Sequence, residues 1–259
     1  MPSQLEPKFV ERVWGRLDLA PLYPLQAKPI GEVWFDNGPL LIKFLFTSEK
    51  LSVQVHPEDP YAAQHHDGSA GKTEMWYILA AEPGSKIALG FDRDYPAPKV
   101  RAAAESGAIM DMLQWIEAKP GETYFVPAGT VHALGGGFVV CEIQQTSDIT
   151  YRMYDYNRGR ELHLDHSMNV ARLGPYANPE IDGERLAACP YFVTHRMEFA
   201  PGMRNYHPTG HPAEALMILS GSGRIAGAPF TAGTVWNATG ASFAIQCDTP
   251  IEALRTYVP

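Results

Sequence analysis

The sequence predicts a mainly β protein made of two barrels of short strands, the first carrying a small helical insertion and the second degenerate. Three observations predict it. Short apolar runs alternate with turn residues along most of the chain, and its 23 glycines and 22 prolines are spread rather than clustered. A helical period surfaces in one stretch alone, 98–117. One turn-and-strand phrase also recurs: "VPAGTVHALGG" at 126–136 returns as "FTAGTVWNATG" at 230–240.

Taken in order, residues 1–30 are proline-rich with little periodicity and predict an arm laid over a core. "GEVWFDNGPLLIKFLFTSEKLSVQVH" (31–56) reads as three strands, with turns at 36–39 and 48–50. Residues 57–73 are a polar loop with room for a short helix, followed by the strands "EMWYILA" and "SKIALGF". In 98–117 the alanines and the spacing of Ile109, Met112, Leu113 and Ile116 predict one or two helices. Strand signals return in "ETYFVPAGTVHAL" and "FVVCEIQQ", and a polar Arg- and Tyr-rich stretch (148–170) leads to a loop near 174–184. Short strands with glycine turns fill the rest. The expected domains are therefore 1–170, with the insertion near 98–117, and 171–259.

Composition excludes several classes. Hydrophobic residues at 45% and charged residues at 19% argue for a packed globular chain rather than a disordered one. A net charge of −8 without a basic block excludes nucleic acid as a natural partner. Three distant cysteines, Cys141, Cys189 and Cys247, do not make a disulfide framework and suit a reducing compartment. No apolar run reaches membrane-spanning length and the N-terminus has no secretory apolar core, so a soluble cytoplasmic protein, monomeric or homodimeric, is expected.

The chemistry gathers at two places. In "LSVQVHPE" (51–58), Ser52, Gln54 and His56 alternate with Val53 and Val55, so an extended strand aims all three polar groups at one side. In "PGETYFVPAGTVHAL", Gly121, five residues, then Pro127-x-Gly129-x-x-His132 matches the second motif of the cupin barrels. The first cupin motif supplies two histidines two apart and then a glutamate; here Gln54-x-His56 takes the place of the pair, and Glu74 follows an enlarged loop. Gln54, His56, Glu74 and His132 thus form a candidate metal site of two imidazoles, a carboxylate and an amide oxygen. Such a set suits Zn²⁺, one per chain, with Mn²⁺, Fe²⁺ or Co²⁺ also compatible. His65 and His66, in a Gly/Ser/Asp loop, are expected in solvent, and His163, His166, His195, His207 and His211 match no ligand position.

The second copy keeps Glu214, followed after six residues by Gly221, as in the first cupin motif. Trp236 stands where His132 does, and Thr231 replaces the proline. A structural barrel without the metal site is the expectation.

At this point the chain resembles the type I mannose-6-phosphate isomerases in their short bacterial form. The residues that carry the resemblance are "LSVQVHP" (51–57), "GKTEMWYI" (71–78), "VPAGTVHALGGG" (126–137) and "QQTSDITYRMYDYNR" (144–158), with "ERVWGRLDL" and "IGEVW" near the start. The resemblance implies metal ligation by Gln54, His56, Glu74 and His132. It implies that Arg152 stabilises charge on the substrate, that Ser52 and Lys72 line the sugar-phosphate pocket, and that Asp148 handles protons. It departs from the longer members, which carry a lysine past the arginine; here "MYDYNRGR" leaves any such phosphate contact to Arg158 or Arg160.

The implied reaction interconverts mannose 6-phosphate and fructose 6-phosphate through an enediol(ate). A metal would polarise or orient sugar oxygens, Arg152 would stabilise negative charge, and Lys72, Arg152 and Arg158 could meet the phosphate. The base is left open among Asp148, a metal-bound water or hydroxide, and the surroundings of Glu74. Two other readings share the residues: an isomerase of another, even unphosphorylated, sugar, and a sugar-binding cupin without turnover.

Overall fold

The computed structural model describes every residue of the chain except Asp182. The described residues form twenty-one strands, three α-helices and one 3₁₀ turn. They fall into two compact units, one of 13–15 and 45–179, the other of 1–12, 16–44 and 180–259. None of the helices is long and apolar enough to cross a membrane.

In the unit of 45–179, a five-stranded sheet runs in the order Tyr151–Tyr154, Val53–Val55, His132–Leu134, Lys86–Phe91, Leu113–Glu117. Strands Phe138–Gln145, Glu74–Ala81 and Thr123–Val126 lie side by side in a second antiparallel sheet. Register decides which side chains meet. Arg152 lies opposite Gln54, and Gln54 opposite His132, so these three share one face. Their strand neighbours Val53, Val55, Tyr151 and Met153 point the other way, into a cluster with Val100, Ala103, Ala104 and Ile109. That cluster packs the sheet's back; each fully buried valine or larger apolar side chain there contributes roughly 1.5–3 kcal/mol. The site-bearing face meets Trp76, Ile78, Tyr124, Val126 and Val140 from the second sheet, closing the barrel over Ile87, Leu89 and Leu134.

The insertion is helical over Ala97–Ser106 and turns as a 3₁₀ segment at Ala108–Asp111. Gly107 between them has φ 85°, and a Cβ there would meet the Tyr154 ring at 2.7–3.1 Å, so its substitution is opposed by both backbone and space. The helical spacing misleads at its end. Leu113–Glu117 is a strand paired with Lys86–Phe91, because five residues that include the β-favouring Trp115-Ile116 pair gain more from an open sheet edge than from extending a helix across Gly107. Residues 148–170 carry more structure than the sequence suggested: strand Tyr151–Tyr154 and helix Leu164–Val170.

In the other unit, one sheet runs Ser3–Gln4, Val235–Asn237, Ala215–Ser220, Ile251–Tyr257, Val193–Phe199, Arg185–Ala188, and a second runs Gly202–Tyr206, Phe243–Cys247, Ser222–Ile225, Ala228–Thr231. Their inner faces bury Leu216, Ile218, Phe230, Trp236, Phe243 and Ile245 in one core. The N-terminal stretch is more than an arm: Ser3–Gln4 extends the edge of the first sheet, and Lys8–Arg16 pairs with Ile30–Asn37. Edge strands tolerate the weak alternation that hid them.

Candidate metal and substrate site

Two turns bring the ligands together. The loop 57–73 folds over the short helix Asp59–His65 and returns so closely that a Cβ on Gly71 would sit 2.6 Å from the Pro57 oxygen. Lys72 N–H then bonds the Pro57 carbonyl (3.0 Å), Gly71 N–H bonds Asp59 Oδ1 (2.7 Å), and Gln145 ties the same carboxylate to Thr73 N–H. Glycine at 71 is thus the condition for Lys72 and Glu74 to enter the barrel together. The second turn places His132: Thr130 N–H bonds the Pro127 carbonyl (3.1 Å), and Gly129, at φ 85°, donates to the His56 carbonyl (2.8 Å).

His56, Glu74 and His132 are all buried and offer ligand atoms within 4.8 Å of one another. Their tautomers follow from their partners. His56 Nδ1 faces the Ile149 carbonyl at 2.8 Å and His132 Nδ1 faces the Thr130 carbonyl at 2.9 Å. A carbonyl only accepts, so both Nδ1 atoms carry the proton and both Nε2 atoms present lone pairs. Those lone pairs lie 3.6 and 3.5 Å from the Glu74 carboxylate. Burial pushes His132 down to about 4, with the Lys72 charge adding to that and the Thr130 bond opposing it, so the ring is neutral near pH 7. Two imidazole lone pairs and a carboxylate converge in a dry pocket, where the Lys72 ammonium meets the carboxylate and His56 Nε2 and the Gln54 amide meets His132 Nε2; a divalent cation is the group that would take all three donors at once. The donor set therefore fits a divalent metal of the zinc type.

Gln54 flanks this group. Its amide nitrogen lies 3.2 Å from His132 Nε2, while its oxygen accepts from Ser52 Oγ at 3.1 Å. Ligation through oxygen requires the amide to turn over, and Ser52 Oγ can accept from the amide in that orientation.

Lys72 is buried against the group, its Nζ 2.5 Å from Glu74 Oε2 and 3.1 Å from His56 Nε2. Burial alone would lower its pKa, but Glu74, Glu142 and Asp148 offset that and hold the ammonium above its ordinary value. Asp148 is exposed, yet its charge still acts on Lys72. Arg152 shares the Gln54–His132 face, donates through Nη1 to the Glu161 carbonyl (2.7 Å), and has a buried Nε with no hydrogen-bond partner among the described residues. Burial, then Arg160, lowers its pKa. Arg158 is drawn elsewhere: its guanidinium bonds the Asp155 carboxylate and the Lys50 carbonyl, and lines a cavity of about 500 Å³ with Tyr156 and Gly136.

Two polar groups escaped the sequence reading. Glu142, buried, accepts from Trp76 Nε1 (2.9 Å) and acts on both Lys72 and His132; Gln144, opposite Glu74, has a fully buried Oε1 without a hydrogen-bond partner among the described residues. The signal was present: Glu142 and Gln144 stand two apart in a strand whose first four residues are apolar, just as Gln54 and His56 stand two apart. His66 is corrected. It is half-buried, and its Nε2 bonds Tyr151 OH at 2.8 Å, because the helix Asp59–His65 delivers it against that strand's back face.

No family model matches the chain. Among curated proteins it is 35% identical over 226 residues to the probable mannose-6-phosphate isomerase GmuF of Bacillus subtilis, covering 70% of each chain. Among solved structures it is similar to a mannose 6-phosphate isomerase of Bacillus subtilis, with 27% identity, a TM-score of 0.86 and 99% of both chains covered. The fold is also that of a zinc-bound mannose 6-phosphate isomerase, with a TM-score of 0.77 at 14% identity and 99% of both chains covered. A cupin-type β fold, converging histidine and glutamate ligands and this level of likeness lead to one assignment: the chain belongs to the mannose-6-phosphate isomerase family.

Proposed function

We propose that this protein interconverts mannose 6-phosphate and fructose 6-phosphate at the site formed by Gln54, His56, Glu74 and His132. The observation that carries the reading is the convergence of two neutral Nε2 lone pairs on Glu74, with Lys72 in contact and Arg152 on the same sheet face. Zinc is the ion this donor set suits, and the family neighbour described above is zinc-bound. When bound, it supplies a Lewis acid that orients the sugar oxygens.

The residues of the chain divide the remaining work. In the open-chain aldose the proton at C2 leaves, its electron pair forms the C1–C2 double bond, and the C1 oxygen takes the negative charge. Returning a proton to C1 and moving the hydroxyl proton from O2 to O1 gives the ketose. In this reading Lys72 and Arg152 stabilise that charge, supported by the buried Arg152 Nε, which has no hydrogen-bond partner among the described residues. Asp148 is assigned the proton at carbon, being an exposed carboxylate close enough to act on Lys72. Ser52 sets the orientation of the Gln54 amide. In this reading the protein acts in the cytoplasm as a monomer or homodimer, in keeping with its free cysteines.

The test is turnover. Metal-loaded protein should convert mannose 6-phosphate to fructose 6-phosphate and leave unphosphorylated mannose untouched. Equal rates on both sugars would assign a different substrate, and metal binding without turnover would assign a binding protein.

A further inference from the structure

The chain that leaves the Arg152 strand folds back and grips that same residue, through backbone and side-chain groups outside the metal group. Tyr151–Tyr154 is an edge strand, bounded by Val53–Val55 on one side. On the other side His163 supplies what a neighbouring strand would. Its N–H donates to the Arg152 carbonyl (2.8 Å), and its ring Nδ1 accepts from Arg152 N–H (3.1 Å). A third bond joins the side chain, from Arg152 Nη1 to the Glu161 carbonyl at 2.7 Å.

The loop that makes these contacts is held chiefly by one buried carboxylate. Asp155 is 3% exposed and accepts from Arg158 Nη2 (2.8 Å), from Arg160 Nε (2.7 Å) and again from Arg160 Nη2. Arg158 also bonds the Lys50 carbonyl (3.0 Å), and Tyr156 OH bonds the Leu51 carbonyl (3.0 Å), which anchors the loop to the residues leading into Gln54. Two guanidinium groups of this loop, of Arg158 and Arg160, therefore act on a third, that of Arg152 on the strand it returns to. Like charges so placed repel, and the buried Asp155 is the anion that lets them coexist.

We propose that Asp155 and His163 are positioning residues for Arg152: Asp155 folds the return loop by neutralising Arg158 and Arg160, and His163, with the Glu161 carbonyl, fixes the Arg152 backbone and guanidinium toward the substrate. The inference rests on the reading that Arg152 stabilises charge during turnover. It also gives Arg158 and Arg160 a role in the loop instead of at the phosphate.

The experiment compares kcat, KM and bound zinc for the full zinc-loaded chain and four variants: Arg152→Ala, His163→Ala, His163→Asn and Asp155→Asn. Asparagine places an acceptor oxygen near where Nδ1 stands, so it can take the Arg152 N–H; alanine cannot. A misplaced but present Arg152 should lower kcat roughly ten- to a hundredfold in His163→Ala, with KM and zinc content unchanged. His163→Asn should recover most of that loss, and Asp155→Asn should resemble His163→Ala. Should Asp155→Asn fail to fold, the two His163 variants decide. Wild-type kcat in His163→Ala, or equal losses in the alanine and asparagine variants, would overturn the proposal while leaving Arg152 in place. Full activity in Arg152→Ala would remove the reading beneath it, and the proposal with it.

Discussion

Two buried glutamates, each entering a strand of its barrel, show how one motif position serves opposite ends. Glu74 and Glu214 are both fully buried. Around Glu74 the neighbours include two imidazole Nε2 atoms at 3.5 and 3.6 Å, beside the Lys72 ammonium that donates at 2.5 Å. Around Glu214 the neighbours are donors: Tyr206 OH at 2.5 Å, Thr209 N–H at 2.6 Å and Thr209 Oγ1 at 2.6 Å. In the second unit Trp236 stands at the position of His132 and turns its Nε1 to Thr234. A carboxylate saturated by hydroxyl and amide donors is a structural anchor. One that shares its pocket with two imidazole lone pairs has the donor set of a cation site.

The largest effect that should divide the two is loss of a ligand. His132→Ala is expected to lower metal affinity by about a hundredfold or more and to take turnover with it, as measured by bound metal after dialysis and by rate; an active, metal-free variant would erase the distinction. Glu214→Gln should do the reverse. It sets an amide N–H against donors in a closed core and should cost about 1–3 kcal/mol of stability by denaturant titration, with kcat and metal content unchanged.

A smaller effect concerns pH. Burial opposes ionisation of Asp155, but Arg160 and Arg158 outweigh it and hold its carboxyl below the ordinary aspartate value. A carboxylate with a depressed folded-state pKa adds stability that is present above its unfolded value, near pH 4, and is lost as pH falls through the folded one. Acid unfolding of the wild type should therefore be steeper below about pH 4 than that of Asp155→Asn; parallel curves would deny Asp155 its clamp. The smallest expected change is in Trp236→His. With Glu214 already satisfied by three donors, restoring the imidazole should leave metal content at one ion per chain, and a second bound ion would show that the tryptophan alone silenced that barrel.

Much of the candidate site was legible in the sequence, because the placing of its residues rests on local rules. Alternation in a short strand sets Gln54 and His56 side by side, and Pro127-x-Gly129 aims His132. What escaped depends on longer reach. The Asp155 clamp and the His163 contacts lie in an Arg- and Tyr-rich stretch without a period, where only the folded loop shows which group meets which. Glu142 hid within a strand read as core, and Leu113–Glu117 borrowed a helical spacing too short to mean a helix.

The central claim is that turnover resides in a metal held by the Glu74 group. The most direct measurement strips the protein with chelator and follows conversion of mannose 6-phosphate to fructose 6-phosphate while zinc is titrated back. The account predicts activity near background in the stripped protein, rising to a plateau at one equivalent per chain. Full activity in protein shown to be free of metal would contradict it.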